Sequence, residues 1–340
     1  MSSSSVQSSF IRSFAVDLPK ITKKPSSALN FDAFKDPLKE LEDCVLCPRN
    51  CHAHRHIRRG GYCNSDNSFS IASICIHRGE EPAISGTDGI CNIFFTNCNL
   101  QCIYCQNHQI SDNRISRTSF SIGLPEVISQ ITTILDQGIK RVGFVSPSHF
   151  IPQMRVIINI IHSLGYKPVW VYNTNGYDKA ETLRKLEGII DIYLPDFKYM
   201  DTDLAGLYSG AKDYPEFAVK AIKEMFRQKG ASLITDIDQT ATSGIIVRHL
   251  VLPGHVQNSL AVLRFLAEEI SPNIHVSLMA QYYPTKKVHN HPQLGRKLSE
   301  YEYSQVVYEM EKLGMSNGWI QENESSEFYL PDFNNKNPFE

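Results

Sequence analysis

Beyond Cys105 the 340-residue chain contains no cysteine; all nine lie between Cys44 and Cys105. A chain this long builds its core without disulfide staples, and thiols clustered in this way suit a reducing compartment where thiolates hold metals. Long apolar runs are missing too. The most hydrophobic segment, RVIINIIHSLGYKPVWVY, is broken by Asn159, His162, Ser163 and Lys167, whereas a bilayer-spanning helix needs about 20 apolar residues in succession. A helical membrane span is therefore excluded and a soluble protein expected. Charge of one sign is also scarce. Lys and Arg total 34 against 36 Asp and Glu, so there is no broad positive field to steer a nucleic acid, and DNA or RNA is disfavoured as a partner.

Against those absences stands one dense motif. Cys98, Cys102 and Cys105 occur in TNCNLQCIYCQN. At this cysteine content a C-x3-C-x2-C run arises by chance about 0.006 times per chain. Soft thiolates select iron-sulfur clusters, zinc or copper(I), and three of them within eight residues fit one loop wrapped around a compact cluster. Zinc is the competitor. Its structural sites close with four ligands, usually in two C-x2-C knuckles, and no fourth cysteine follows. Three ligands on a cubane leave one iron open, and an open iron is a catalytic position.

A second group precedes the first. Cys44, Cys47 and Cys51 in CVLCPRNC and Cys63 in GGYC supply four thiolates, enough for a tetrahedral zinc site or an auxiliary cluster. His52, His54 and His56 are substitute donors or simply solvated. Cys75 and Cys91 sit in apolar, strand-like runs and read as small hydrophobes.

The organisation follows. Residues 1–36 are Ser-rich, carry Arg12, Lys20, Lys23 and Lys24, and have no acid before Asp17, which reads as a disordered tail or an organelle-targeting leader. The cytoplasm is the expected location, a mitochondrion-type organelle the alternative. Residues 37–85 form a Cys-rich module, 86–320 the core and 321–340 a C-terminal tail. Strands are predicted at 90–96, 141–146, 167–173, 189–194, 245–252 and 274–279, with helices near 124–138, 152–164, 178–186, 215–229, 257–270 and 299–314. Six strands that read as near-continuous apolar runs and alternate with helices imply an α/β fold with a parallel sheet. A doubly wound sheet and a barrel share this pattern.

Polar groups gather just after these strands, where barrel enzymes place their sites. The second strand runs into SPSHF, with Ser146, Ser148 and His149 around Pro147. The third ends in YNTNGY, where Asn173, Thr174 and Asn175 precede Gly176, a residue that permits close approach of a ligand. The fourth ends in LPDFKY, placing Asp196 and Lys198 on one face of an extended segment, for ribose hydroxyls and a carboxylate or as a local ion pair. On the fifth, Arg248 and His249 point to opposite faces, and Arg248 is the one expected inside, where a guanidinium needs an anionic partner. His255 follows in a loop. Gln281, Tyr282 and Tyr283 close the sixth strand at the substrate mouth or as aromatic packing.

C-x3-C-x2-C with an aromatic residue, here Tyr104, before its last cysteine resembles the radical SAM superfamily. Across roughly residues 44–320 the runs CVLCPRNC, HRGEEPAISG, CNLQCIYCQNHQIS, SPSHF, YNTNGY, DIYLPDFKY, VRHLVLPG and LMAQYYP look like the pyruvate formate-lyase activating enzyme-like branch. The resemblance implies a partial (β/α)6 TIM-type barrel and a 4Fe-4S cluster on Cys98, Cys102 and Cys105. The open iron would chelate S-adenosylmethionine, and one electron from the cluster would break its S–C5′ bond to give a 5′-deoxyadenosyl radical that abstracts hydrogen. The resemblance supports cofactor contact at Asn173, Asn175, Asp196 and Lys198; Tyr104 beside the last cysteine and Ser146, Ser148 and His149 after the second strand are further expected contacts, and Arg248, as a buried guanidinium, is expected to meet the methionine carboxylate. The resemblance also implies an oxidoreductase-type enzyme served by a reductant such as flavodoxin or ferredoxin. Two departures stand out. Many relatives carry Gly-Gly-Glu where this chain has SPSHF, and activases with auxiliary clusters place their extra cysteines after the motif, not before it. The expected reaction is hydrogen abstraction from a glycine of a partner enzyme. The alternatives are radical modification of a small molecule or peptide, and a non-catalytic iron-sulfur protein for electron transfer or binding.

Overall fold

Why the strands of this chain read as unbroken apolar runs is explained by what covers them: β2 (Ile90–Phe95) and β4 (Arg141–Val145) are buried at every position. The computed structural model describes residues 29–115, 120–322, 330–335 and 337–339. The candidate leader up to residue 28, and residues 323–329, 336 and 340 of the expected tail, lie outside the described residues. The remaining strands are β1 (Phe69–His77), β3 (Ser121–Ile122), β5 (Val169–Thr174), β6 (Ile192–Pro195), β7 (Ile234–Thr235), β8 (Ala241–Leu250), β9 (His275–Met279) and β10 (Gly318–Ile320). The helices are α1 (Pro82–Ser85), α2 (His108–Ser111), α3 (Leu124–Leu135), α4 (Ile151–Ser163), α5 (Ala180–Arg184), α6 (Thr202–Ser209), α7 (Tyr214–Lys229), α8 (Val256–Phe265) and α9 (Glu300–Lys312). No helix among the described residues is long and apolar enough to cross a membrane.

Strand order separates the two architectures that the sequence pattern leaves together. The sheet runs β10-β9-β8-β6-β5-β4-β2-β1-β3, and β2, β4, β5, β6, β8 and β9 pair in parallel. These six follow one another in space as they do in sequence. A doubly wound sheet reverses direction at a switch point; this one does not, so it is wound in one sense, as a partial barrel is. β10 extends it in parallel beyond β9, and β1 flanks β2 antiparallel. β1 lies within residues 37–85, so the Cys-rich segment contributes a strand to the same sheet.

Local signals fix the helix ends. Pro125 opens α3 in its first turn, and α9 starts with a capping box in which Ser299 and Glu302 satisfy each other's backbone donors. α6 is capped by Asp201 and stopped by left-handed Gly210. Between sheet and helices the packing is aromatic: Phe95 stacks on Phe150 at 4.9 Å and Phe144 on Trp170 at 5.5 Å.

His249, on the opposite face of β8 from the barrel interior, is buried with Nδ1 donating to Phe197 O at 2.6 Å and Nε2 accepting from Ser259 Oγ at 2.8 Å. Burial holds its pKa down at about 4. The unfolded chain therefore takes up this proton first as pH falls. The stabilising effect is complete above pH 6.5 and is lost through pH 4, on the order of 3 kcal/mol at most. Urea unfolding of the wild type should weaken more steeply between pH 6.5 and 4 than that of His249→Gln; equal slopes would remove His249 from this account.

Candidate metal and cofactor site

The loop that follows β2 is shaped by its own backbone needs. Asn97 adopts a positive φ of 63° and donates its N–H to Ile110 O at 2.8 Å. Asn113 then clips the turn, accepting Cys98 N–H at 2.9 Å and donating to Cys98 O at 2.8 Å. The sulfurs each meet a polar hydrogen. Asn175 Nδ2 donates to Cys98 Sγ at 3.3 Å, Ser209 Oγ donates to Cys102 Sγ at 3.0 Å, and Ser111 Oγ lies 3.3 Å from Cys105 Sγ. Burial pushes the Cys98 thiol up to about 12 and raises that of Cys102, with Lys198 opposing the shift at Cys102. Such thiols ionise when a metal displaces their protons.

All three border one cavity of about 420 Å³, the size of a site for a single drug-sized ligand. No fourth cysteine is among its lining residues, so the donor set fits a cluster with one iron left open. Of the residues singled out in the sequence, Tyr104, Ser146, Asn173, Asn175, Asp196, Lys198 and Arg248 line it, as do Gln281, Tyr282 and Tyr283. Gly176 is indispensable to this convergence. Its φ is +79°, and a Cβ there would collide with Asp196 O and Tyr214 Oη, so β5 and β6 end side by side only because it is glycine.

The interior holds a charged network. Arg248 donates from Nε to Asp196 Oδ1 at 2.9 Å, from Nη1 to Glu80 Oε2 at 3.2 Å and from Nη2 to Asn173 Oδ1 at 2.6 Å. Lys198 Nζ meets Asp196 Oδ2 at 2.7 Å. The anionic partners of Arg248 are thus protein carboxylates. Burial works to raise the Asp196 carboxyl, but Arg248 and Lys198 outweigh it and hold it below the usual range. Sequence reasoning assigned no role to Glu80 and Glu81. Both line the cavity from the loop between β1 and α1, and burial raises the Glu81 carboxyl, whose Oε2 has no partner. The readable signal was a pair of acids wedged between an apolar strand and Pro82.

Two predicted contacts turn elsewhere. Ser146 takes a positive φ of 52°, and beyond it Ser148 Oγ pairs with Thr174 Oγ1 at 3.2 Å while His149 Nε2 donates to Thr96 O at 2.9 Å. His149 borders a second cavity of about 10 Å³, lined also by Cys44, Cys47, Cys51 and Cys63. His52, His54 and His56 do not line it; His52 pairs with Asp43 at 2.8 Å on the surface, and His56 Nε2 bonds Leu38 O at 2.6 Å. Among the described residues, no three Cys, His, Asp or Glu side chains converge on a single-ion position. His255 Nε2 lies 2.8 Å from Tyr208 Oη, outside the large cavity.

No family model matches the chain. An uncharacterized protein of Methanocaldococcus jannaschii, MJ0674, is 26% identical over 279 residues, covering 81% of this chain and 76% of its own. Streptococcus suis SuiB bound to its precursor peptide SuiA overlaps with a TM-score of 0.46 at 11% identity, over 70% of this chain and 50% of SuiB. Methylornithine synthase (PylB) overlaps at 0.45 with 15% identity, over 85% and 71%. The FeFe-hydrogenase maturase HydG of Carboxydothermus hydrogenoformans gives 0.43 and 15%, over 64% and 49%. The chain spans about half the length of SuiB and HydG, and overlaps this loose add nothing to the strand order described above.

Proposed function

We propose that this chain is a radical SAM enzyme. One observation carries the reading: Cys98, Cys102 and Cys105, spaced C-x3-C-x2-C on the loop after the first parallel strand, border a 420 Å³ cavity whose lining contains no fourth cysteine. A 4Fe-4S cluster there would supply one-electron cleavage of S-adenosylmethionine. The chain's own residues hold and shield it. Ser209 and Asn175 donate to the Cys102 and Cys98 sulfurs that would hold the cluster, while Tyr104 seals one wall through its 2.6 Å contact with Tyr199 Oη. Asn173, Asn175, Asp196 and Lys198 offer the amide, carboxylate and ammonium groups that a nucleoside and an amino-acid moiety require. With Gly-Gly-Glu absent, Glu80 and Glu81, which line the cavity, are carboxylates available to an ammonium group.

The finer reading is hydrogen abstraction from a glycine of a partner enzyme, supported by the likeness of Thr174-Asn175-Gly176 and Asp196-x-Lys198 to activase segments, with a flavodoxin- or ferredoxin-type protein as reductant. A second reading, modification of a small polar molecule or peptide, is favoured by the charged groups Glu80, Glu81 and Arg248 inside the cavity. The test is anaerobic reconstitution with iron and sulfide, reduction by dithionite, addition of S-adenosylmethionine and chromatography for 5′-deoxyadenosine. Its formation is the expected result. A reducible cluster that yields none would overturn the enzyme reading in favour of electron transfer.

A further inference from the structure

The N-terminal cysteines pose a problem of charge. Arg55 is fully buried, and its guanidinium donates to Ser65 O at 3.2 Å, Asp66 O at 3.0 Å, His149 O at 2.7 Å and Cys44 Sγ at 3.7 Å. Arg49 donates to Asn99 O at 2.9 Å and Gly210 O at 2.8 Å, lies 3.6 Å from the Tyr62 ring centroid, and keeps Nη2 buried with no partner. Among the described residues no carboxylate forms an ion pair with either guanidinium; the nearby Asp66 carboxylate faces Arg59 instead. A buried guanidinium without a counter-charge is costly. Both arginines border the small cavity ringed by the four cysteines, and four neutral thiols provide no charge to offset them.

We propose that Cys44, Cys47, Cys51 and Cys63 hold a four-thiolate metal centre for which Arg49 and Arg55 are the counter-ions, and that Arg49 transmits the loaded state to the Cys98 loop. Four thiolates around a divalent ion, or around a cluster core of the same charge, leave two negative charges in excess. Two arginines offset them. His149, whose Nδ1 is unpartnered at the same cavity, is the rival donor. The four cysteines ring the cavity together with fully buried Arg55 and half-buried Arg49, and four thiolates give both guanidiniums a counter-charge. The backbone is shaped for a bound sulfur: Tyr62 donates its N–H to Cys51 Sγ at 3.1 Å, and a Cβ on Gly61, whose φ is +69°, would press to within 3.2 Å of that sulfur. The sulfurs do not converge on a single-ion position and the cavity between them is about 10 Å³, so zinc and a cluster both require the cysteine loop to move on loading. The link to the barrel runs along two paths. Arg49 holds Asn99 O, and Tyr62 O accepts from Asn113, which clips Cys98.

The centre stands or falls independently of the barrel's reaction, and the experiment keeps the two apart. The triple variant Cys98→Ala/Cys102→Ala/Cys105→Ala empties the barrel site, and iron, sulfide and zinc are then quantified per chain after anaerobic purification. One centre's content should remain, as iron with sulfide or as zinc, and should vanish when Cys47→Ser is added. In the same background Arg55→Met should release metal to a chelator several-fold faster, Arg55→Lys should retain it, and His149→Phe should leave the content unchanged. Amide hydrogen exchange over residues 97–113 should quicken several-fold on metal removal and in Arg49→Met. A metal-free triple variant, or loss of metal in His149→Phe, overturns the four-thiolate assignment. Unchanged exchange over 97–113 overturns the link to the Cys98 loop.

Discussion

Cys102→Ala should reduce 5′-deoxyadenosine formation to the level without protein while the chain stays folded. Three thiolates are the minimum that holds a cubane with one open iron, and two do not hold it against loss to solvent. Cys102 is also the ligand nearest the charged network, since Lys198 acts on its thiol directly. The structural cost is small. Cys102 is half-buried, its sulfur receives one bond from Ser209, and that hydroxyl retains Tyr199 Oη at 2.9 Å. The control is Cys75→Ala in β1, a buried cysteine in an apolar cluster with Phe94 and Val145, which removes the same atoms and should leave cleavage intact. Circular dichroism of both variants separates folding from chemistry. Cleavage persisting in Cys102→Ala would refute the proposed cluster site.

Much of the barrel was legible because its strands are largely buried, β2 and β4 at every position, so the apolar runs 90–96, 141–146 and 274–279 mark β2, β4 and β9 to within a residue or two. β1 was legible only as the apolar, strand-like run around Cys75; its place in the sheet was not, since its pairing with β2 is set by tertiary contact alone. α6 was overlooked although Asp201 and Gly210 bracket it as cap and stop. The cluster loop was legible because ligand spacing is a local property of the chain. The charged interior was not. Arg248 meets Glu80 across 168 positions of sequence, and nothing in either neighbourhood announces the other; only the cost of a lone buried guanidinium says that some acid must be there. His149 shows the converse. It lies beside Ser146 in sequence, yet the turn at Ser146-Pro147 sends it to the other cavity.

Arg248→Met should be the most destabilising single change in the barrel interior, and its effect should depend on pH in a direction the network fixes. The guanidinium, its side chain 15% exposed, compensates Asp196 and Glu80, at 17% and 9%. Removing one partner of such a buried pair costs about 3–5 kcal/mol because the charges left behind have no counter-ion. In the wild type the Asp196 carboxyl is held below its unfolded value, so it stabilises the fold above that value and the effect is lost as pH falls through the folded pKa. Without Arg248 the charge that opposes burial at Glu81 is lost: its carboxyl, already raised by burial in the wild type, is raised further, Glu80 loses its buried counter-ion, and stability falls as pH climbs past the unfolded carboxylate range near 4.3. Asp196 keeps Lys198 and changes less. The gap between wild type and variant should therefore be small at pH 4.5 and widen toward pH 7.5, as read by urea unfolding midpoints. Adding Glu80→Gln to Arg248→Met should recover part of the loss at pH 7.5, because an amide can still accept from Asn92, which donates to Glu80 Oε1 at 2.8 Å. A gap that stays constant with pH, or a double variant no better than the single, would mean that packing of the arginine stem, and not its charge, holds this interior together.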